Sequence, residues 1–269
     1  MHRFFVPPEL LKATSIEIPL PKELAHQIRD VIRLGIGEQL LLLDNSGDEV
    51  LATVARINKA SVEVYPLERR PGKREPAVRI ILCQGMLKST RFEWILEKGT
   101  ELGVSVFSPI ICRRSMAGLE GTGSSKIQRW QRIIQEAAEQ SGRSRLPELL
   151  PIRPLEDALN DISQDTLAIM PWEEEHALTL RDALNSTYRS PGDVGATLAV
   201  ARSVEPRTLQ PPPAVVLFIG PEGGLMAEEV ALAQRHGVQV VTLGDRILRA
   251  ETAAIATVAN VMYECEWQG

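Results

Sequence analysis

The sequence predicts an α/β protein in which a small β-rich barrel precedes a larger domain built on a mostly parallel sheet. Three observations carry this reading. Apolar runs without alternation, such as VRIILC (78–83) and AVVLFI (214–219), suit strands covered on both faces. Helical patterns alternate with several of these runs, as α/β folds require. The N-terminal stretch instead shows short β-rich runs separated by turn residues.

Taken in order, HRFFV (2–6) is the first strand. A helix is expected from Pro21 to Leu34, with Leu24, Ile28, Val31 and Ile32 on one face and Gly35 as its stop. The stretch 37–67, broken by DNSGD and INKAS, supplies further strands. ERRPGKREPA (68–77) is charged and carries two prolines, and marks a boundary between domains at 1–72 and 73–269. After VRIILC, Thr90 and Glu93 have the spacing of a capping box. Phe92, Ile95, Leu96 and Leu102 form the apolar side of that helix, and Gly103 ends it. VSVFSPII (104–111) is the next strand. A second helix over 125–141 places Trp130, Ile133, Ile134, Ala137 and Ala138 at helical spacing. Between them, MAGLEGTGSS (116–125) reads as a Gly/Ser loop. Later strands are expected at 166–170, 196–201, 214–219 and 238–243, with PRTLQPPP (206–213) as an extended connection. There is no internal repeat.

Of the function classes, several recede on composition. The three cysteines, Cys83, Cys112 and Cys265, are odd in number and form no CxxC pair, which excludes a disulfide framework or a zinc motif. His2, His26, His176 and His236 show no metal-ligand spacing, so no metal is expected. No apolar stretch reaches the length of a membrane span, and the start lacks a signal-peptide core, so a cytoplasmic protein without a membrane partner is expected. The net charge of −5 is unevenly spread: residues 1–75 balance, 76–145 carry +5 and 146–269 carry −10. The basic middle third is a candidate phosphate-facing surface.

Two segments concentrate the chemistry, each at the expected C-terminal end of a strand, where α/β sheets hold ligands. The first is IGPEGGL (219–225) and the second LGDRILRAET (243–252). A glycine loop between strand and helix often cradles phosphate. Here neither GxxxxGK[ST] nor GxGxxG is present, and Glu222 in the loop repels a phosphate. A ligand with an adenine, a positive charge and little negative charge suits the loop better, and S-adenosylmethionine is one. Glycines let backbone groups approach such a ligand closely.

IGPEGGL followed by LGDRILRAETAAIA resembles the paired signature of the SPOUT methyltransferases, and specifically the ribosomal RNA small subunit methyltransferase E family. EKGTELGV (97–104), RWQRIIQEAAEQSGRSRLPEL (129–149) and the HRFFV start extend the resemblance over essentially the whole chain. It implies a PUA-like RNA-binding β-barrel at 1–72 and, at 73–269, a SPOUT α/β domain with a C-terminal trefoil knot. It implies a homodimer, formed through the knotted domain, that methylates N3 of one uridine in helix 44 of 16S ribosomal RNA within the small subunit. The family often has a smaller polar residue or proline at Asp245, threonine at Ala250 and Glu-Arg-Ser where Arg113–Ser115 reads RRS.

The resemblance places the cofactor's adenine against backbone groups of Leu243, Gly244, Ile247 and Leu248. Ile219, Gly220, Pro221, Gly223 and Gly224 line the other side, and Thr252 either touches the cofactor or caps the last helix. Uridine N3 must lose a proton before it attacks a methyl group. Arg249 is the candidate cation for the resulting charge and Glu222 the candidate base. Arg3, Lys88, Arg91, Arg113, Arg114, Lys126, Arg129, Arg143 and Arg145 are the candidate RNA contacts. Aromatics are sparse at 4%, which argues against extensive base stacking and for a single flipped base. Competing readings are a SPOUT ribose 2′-O-methyltransferase, a non-catalytic RNA-binding assembly factor and an unrelated nucleotide-binding enzyme.

Overall fold

The computed structural model describes residues 1–12, 17–59, 61–115, 123–163, 165–187 and 214–265. The expected strand at 196–201, the connection at 206–213 and the loop residues 116–122 lie outside them. The chain divides into two compact units, Met1–Glu75 with Gln131–Leu146, and Pro76–Trp130 with Pro147–Gly269.

In the first unit, β1 (His2–Phe5) is followed by α1 (Pro8–Lys12), β2 (Ile18–Pro19) and α2 (Lys22–His26), then β3 (Gln39–Leu43), β4 (Asp48–Ile57) and β5 (Val62–Pro71). The strands pair in the order β1-β3-β4-β5-β2. Among the described residues β1 and β2 remain the two edges, so the sheet is open where a closed barrel is expected. Val50, Ala52 and Val54 of β4 and Val62 and Val64 of β5 alternate with outward residues and bury one face. With Leu40, Leu42, Phe4 and Ile28 they make the core of this unit.

The expected helix from Pro21 is present but differs in its face. After His26 it widens into a π-helix over Gln27–Ile32, closed by Arg33 at φ 62°. The wider turn shifts the register, so Leu24 and Ile28 are buried while Val31 is 68% exposed.

The second unit runs β6 (Arg79–Gly85), α3 (Ser89–Glu101), β7 (Val104–Ile111), α4 (Ser124–Ser141), β8 (Glu148–Leu149), β9 (Arg153–Pro154), α5 (Leu155–Asn160), β10 (Leu167–Pro171), α6 (Leu180–Thr187), β11 (Ala214–Ile219), α7 (Ala227–Arg235), β12 (Gln239–Val241) and α8 (Ala250–Cys265). Helix α4 ends in the first unit, from Gln131 onward. The sheet order is β12-β10-β11-β6-β7-β8, with β9 beside β7, and every pairing is parallel. The predicted apolar runs are buried on both faces: Ile80, Leu82, Leu217 and Phe218 are all nearly inaccessible.

The capping box at Thr90 and Glu93 does not form. Lys88 is the N-cap, without a side-chain hydrogen bond, so Thr90 already lies within α3. Glu93 instead accepts hydrogen bonds from Arg129 Nε at 2.7 Å and Nη2 at 2.9 Å. The Phe92 and Trp130 rings pack at 4.5 Å between centroids, which draws the first turns of α4 onto α3.

Candidate active site

Parallel pairing sends the C-terminal ends of all these strands to one edge of the sheet. The three neighbours β12, β10 and β11 therefore open their following loops side by side. Those loops enclose a cavity of about 260 Å³. After β11 it is lined by Ile219, Gly220, Pro221, Glu222, Gly223, Gly224 and Leu225. After β12 it is lined by Leu243, Gly244, Asp245, Arg246, Ile247, Leu248 and Arg249. The two segments singled out in the sequence thus form two walls of one site. Thr252 is not among the lining residues: α8 starts at Ala250, so Thr252 lies inside the helix, exposed, and neither caps it nor reaches the cavity.

A third wall is absent from the sequence reading. Pro171, Trp172, Glu173 and His176 follow β10 and face the same cavity. The word MPWEEEH ends an apolar run in proline and then turns acidic, which is the available signal for a strand end with a polar loop.

The glycine loop is held from below. Gly224 N–H donates to Pro221 O at 3.0 Å, closing a turn with Gly224 at φ 74°. Gly85, at the end of β6, lies directly against the loop: a Cβ there meets Pro221 N at 2.5 Å. The buried Gln84 donates from Nε2 to Gly220 O at 3.3 Å and to Gly85 O at 2.9 Å. Glu229, 6% exposed, accepts from Met226 N–H at 2.9 Å and from Arg113 N–H at 2.8 Å. It caps α7 from its third position and ties the loop after β7 to that cap. Arg114 Nη1 donates to Gly223 O at 3.1 Å.

The charges suit a cation better than a phosphate. Glu173, Glu222 and Asp245 outnumber Arg246 and Arg249 in the lining, and the loop N–H of Gly224 is spent in its own turn. The apolar share comes from Ile219, Leu225, Trp172 and Ala253. A cavity with backbone-rich walls, apolar patches and carboxylates fits an adenine-bearing cation such as S-adenosylmethionine. Among the described residues no group of three or more His, Cys, Asp or Glu could hold a metal ion, and no helix is long and apolar enough to cross a membrane.

Comparison with known proteins agrees in family. The RNA methyltransferase domain family matches residues 73–262. The ribosomal RNA small subunit methyltransferase E of Bacillus subtilis is 30% identical over 271 residues, covering 99% of this chain and 98% of the relative. The chain belongs to the ribosomal RNA small subunit methyltransferase E family. The family's enzyme from Neisseria gonorrhoeae, crystallised bound to S-adenosyl methionine, superposes with a TM-score of 0.77 at 28% identity, covering 98% of this chain and 97% of that one. A putative methyltransferase from Legionella pneumophila, in complex with the same cofactor, gives 0.76 at 29% identity, with 98% and 97% covered.

The candidate RNA contacts of this family member separate sharply. Arg143 is 4% exposed and pairs with Glu75 at 2.9 Å, so it is an internal ion pair and not a phosphate contact. Arg3 is 13% exposed and pairs with Glu49 at 3.3 Å, which corrects its assignment likewise. Burial needs a counter-charge, and each arginine has found one within its own unit. Lys88, Arg113, Arg114 and Arg145 are exposed. Lys126 lies 5.2 Å from the centroid of the Trp130 ring, and Arg129 pairs with Glu93 while staying 66% exposed. Arg91 does not line the cavity but pairs at 3.0 Å with Glu222, which does. Arg249 is exposed, with no ion-pair partner among the described residues.

Proposed function

We propose that this chain methylates N3 of one uridine in helix 44 of 16S ribosomal RNA, using S-adenosylmethionine, in the small ribosomal subunit. The observation that carries the reading is the single cavity that joins the carboxylate-bearing glycine loop to the 243–249 segment in a member of this family. The cofactor supplies an electrophilic methyl group on a sulfonium. The backbone of Leu243, Gly244, Ile247 and Leu248 holds its adenine, and Ile219, Gly220, Pro221, Gly223 and Gly224 line its other side. Holding donor and acceptor in line is the first task of these walls.

Glu222 accepts the N3 proton of the flipped uridine through the oxygen that Arg91 leaves free. Arg249, unpaired among the described residues, meets the negative charge that then spreads to the uracil oxygens. Lys88, Arg113, Arg114, Lys126, Arg129 and Arg145 contact phosphates and position the RNA without reading its sequence. Residues 1–72 act as a PUA-like RNA-binding module and 73–269 as a SPOUT domain with a C-terminal trefoil knot. A homodimer in the cytoplasm completes the reading, supported by the exposed Trp94 on α3 and Tyr263 on α8, two helices in mutual contact.

The test is methylation of small subunits purified from cells lacking the cognate enzyme, followed by digestion and mass spectrometry. New 3-methyluridine is the expected product. A 2′-O-methyl nucleoside sinks the N3 assignment, and no methyl transfer beside an active control enzyme sinks the catalytic reading.

A further inference from the structure

Arg91 reads from the sequence as one more basic residue near RNA, and the fold gives it different neighbours. It sits at the start of α3 and meets two carboxylates from distant parts of the chain. Its Nη1 lies 3.0 Å from Glu222 Oε1 in the glycine loop, and its Nε lies 3.7 Å from Glu251 Oε1 in the first turn of α8. The three side chains are 40%, 27% and 16% exposed, and Glu251 Oε2 is buried without a hydrogen-bond partner. An exposed surface pair adds little to a fold. This trio is partly buried and joins the helix α3, the loop after β11 and the helix after the 243–249 segment. One guanidinium thus ties the glycine loop to the first turn of α8, the helix that follows the other cavity wall.

We propose that Arg91 is a positioning residue that fixes Glu222 through Oε1, ties it to the head of α8, and leaves Oε2 to take the substrate proton. The assignment rests on the proposed methyl transfer, in which Glu222 is the proton acceptor. Arginine suits the task because its planar fork engages two carboxylates from fixed directions, where a lysine ammonium is a single point charge. The same contact removes Arg91 from the set of phosphate-binding residues. A carboxylate that is oriented by a third group loses its effectiveness when that group is removed, as in other oriented acid–base pairs.

The full-length protein is tested as R91A, R91K, E222Q and the R91A/E222Q double variant. Amide hydrogen exchange is read first, without cofactor or RNA. R91A is expected to speed exchange in segments 219–226 and 249–254 about tenfold, with β6 and β7 unchanged. In segment 219–226 the double variant is expected to match E222Q within about twofold, because there the two residues act through one contact, while 249–254 still responds to the loss of the Arg91–Glu251 pair. Steady-state methyl transfer to small subunits is read second. R91A is expected to lower kcat about 10- to 100-fold, with KM for S-adenosylmethionine within about threefold of wild type. R91K should recover kcat to within about tenfold of wild type, since the charge returns without the fork. Unchanged exchange in 219–226, additive losses in the double variant, or a rise in KM with kcat intact would each overturn the proposal. Should the wild-type protein transfer no methyl group, the proposed reaction falls, and the exchange measurement still decides whether Arg91 joins the glycine loop to the head of α8.

Discussion

The two sheets treat the same residue types in opposite ways. In the first unit, β5 alternates buried Val62 and Val64 with outward Glu63 and Tyr65, so polar side chains run along one face of the strand. In the second unit, β6 and β11 bury nearly every residue on both faces, and their one buried polar side chain, Gln84, sits at the end of β6 and bonds to the glycine loop. Polar chemistry there is displaced to the strand ends, and parallel pairing collects those ends at one edge. The difference explains why the cavity is built from loops after β10, β11 and β12, and why the strands themselves only hold those loops in place.

Arginines sharpen the comparison. Arg143 in the first unit is buried against Glu75, whereas Arg249 in the second is exposed beside the cavity. The largest expected effect is for Arg249→Ala: methyl transfer falls about 100-fold or more with little change in stability. Parallel measurement of kcat and of a denaturant midpoint checks both halves, and a loss of stability instead of rate would erase the contrast. Arg143→Ala should do the reverse. It removes the buried guanidinium that pairs with the partly exposed Glu75 and costs about 2–3 kcal/mol by denaturant unfolding, with kcat per folded molecule little changed. A next and smaller effect is expected at Gly85, where β6 touches the glycine loop. Gly85→Ala must push Pro221 aside, and cofactor affinity is expected to fall about tenfold by calorimetry, since misplaced binding groups lose affinity steeply. An unchanged dissociation constant would show that the loop can move without cost.

The smallest effect belongs to the first unit. Burial raises the carboxyl pKa of Glu139, opposed by hydrogen bonds from Gln135 Nε2 at 2.9 Å and Phe5 N–H at 3.0 Å. An acid with a raised pKa in the fold binds its proton more tightly there than in the unfolded chain. Its contribution to stability is therefore fully present below the unfolded pKa and is lost as pH rises through the folded one. Glu139→Gln keeps an acceptor without the charge, so thermal unfolding at neutral pH should shift upward by about 1–2 °C and at acidic pH not at all. An equal shift at both pH values would mean that the buried charge is not the cause.

Features that rest on local pattern could be read directly from the order of residues. Long apolar runs and helical spacing are properties of neighbouring residues, so β6, β7, β10, β11, α3 and α4 were legible near their true bounds. The two loops that wall the cavity after β11 and β12 were legible because glycine, proline and an acid in a short word restrict the backbone. How distant residues meet is a property of the folded chain. The third wall at Trp172, Glu173 and His176 depends on β10 lying between β12 and β11, an order that no local pattern encodes. The Thr90–Glu93 cap is lost because α3 begins ahead of Thr90 with Lys88 as its N-cap, Glu93 is engaged instead by Arg129, 36 residues away, and Val31 turned outward because a π-turn displaced its helix face. Charge shows the same limit most plainly. A lysine or arginine is written in the sequence as a positive residue, but burial and the carboxylates brought beside it decide its task. That is why Arg3 and Arg143 became internal partners and Arg91 a bridge, while Arg249 kept its charge open to the cavity.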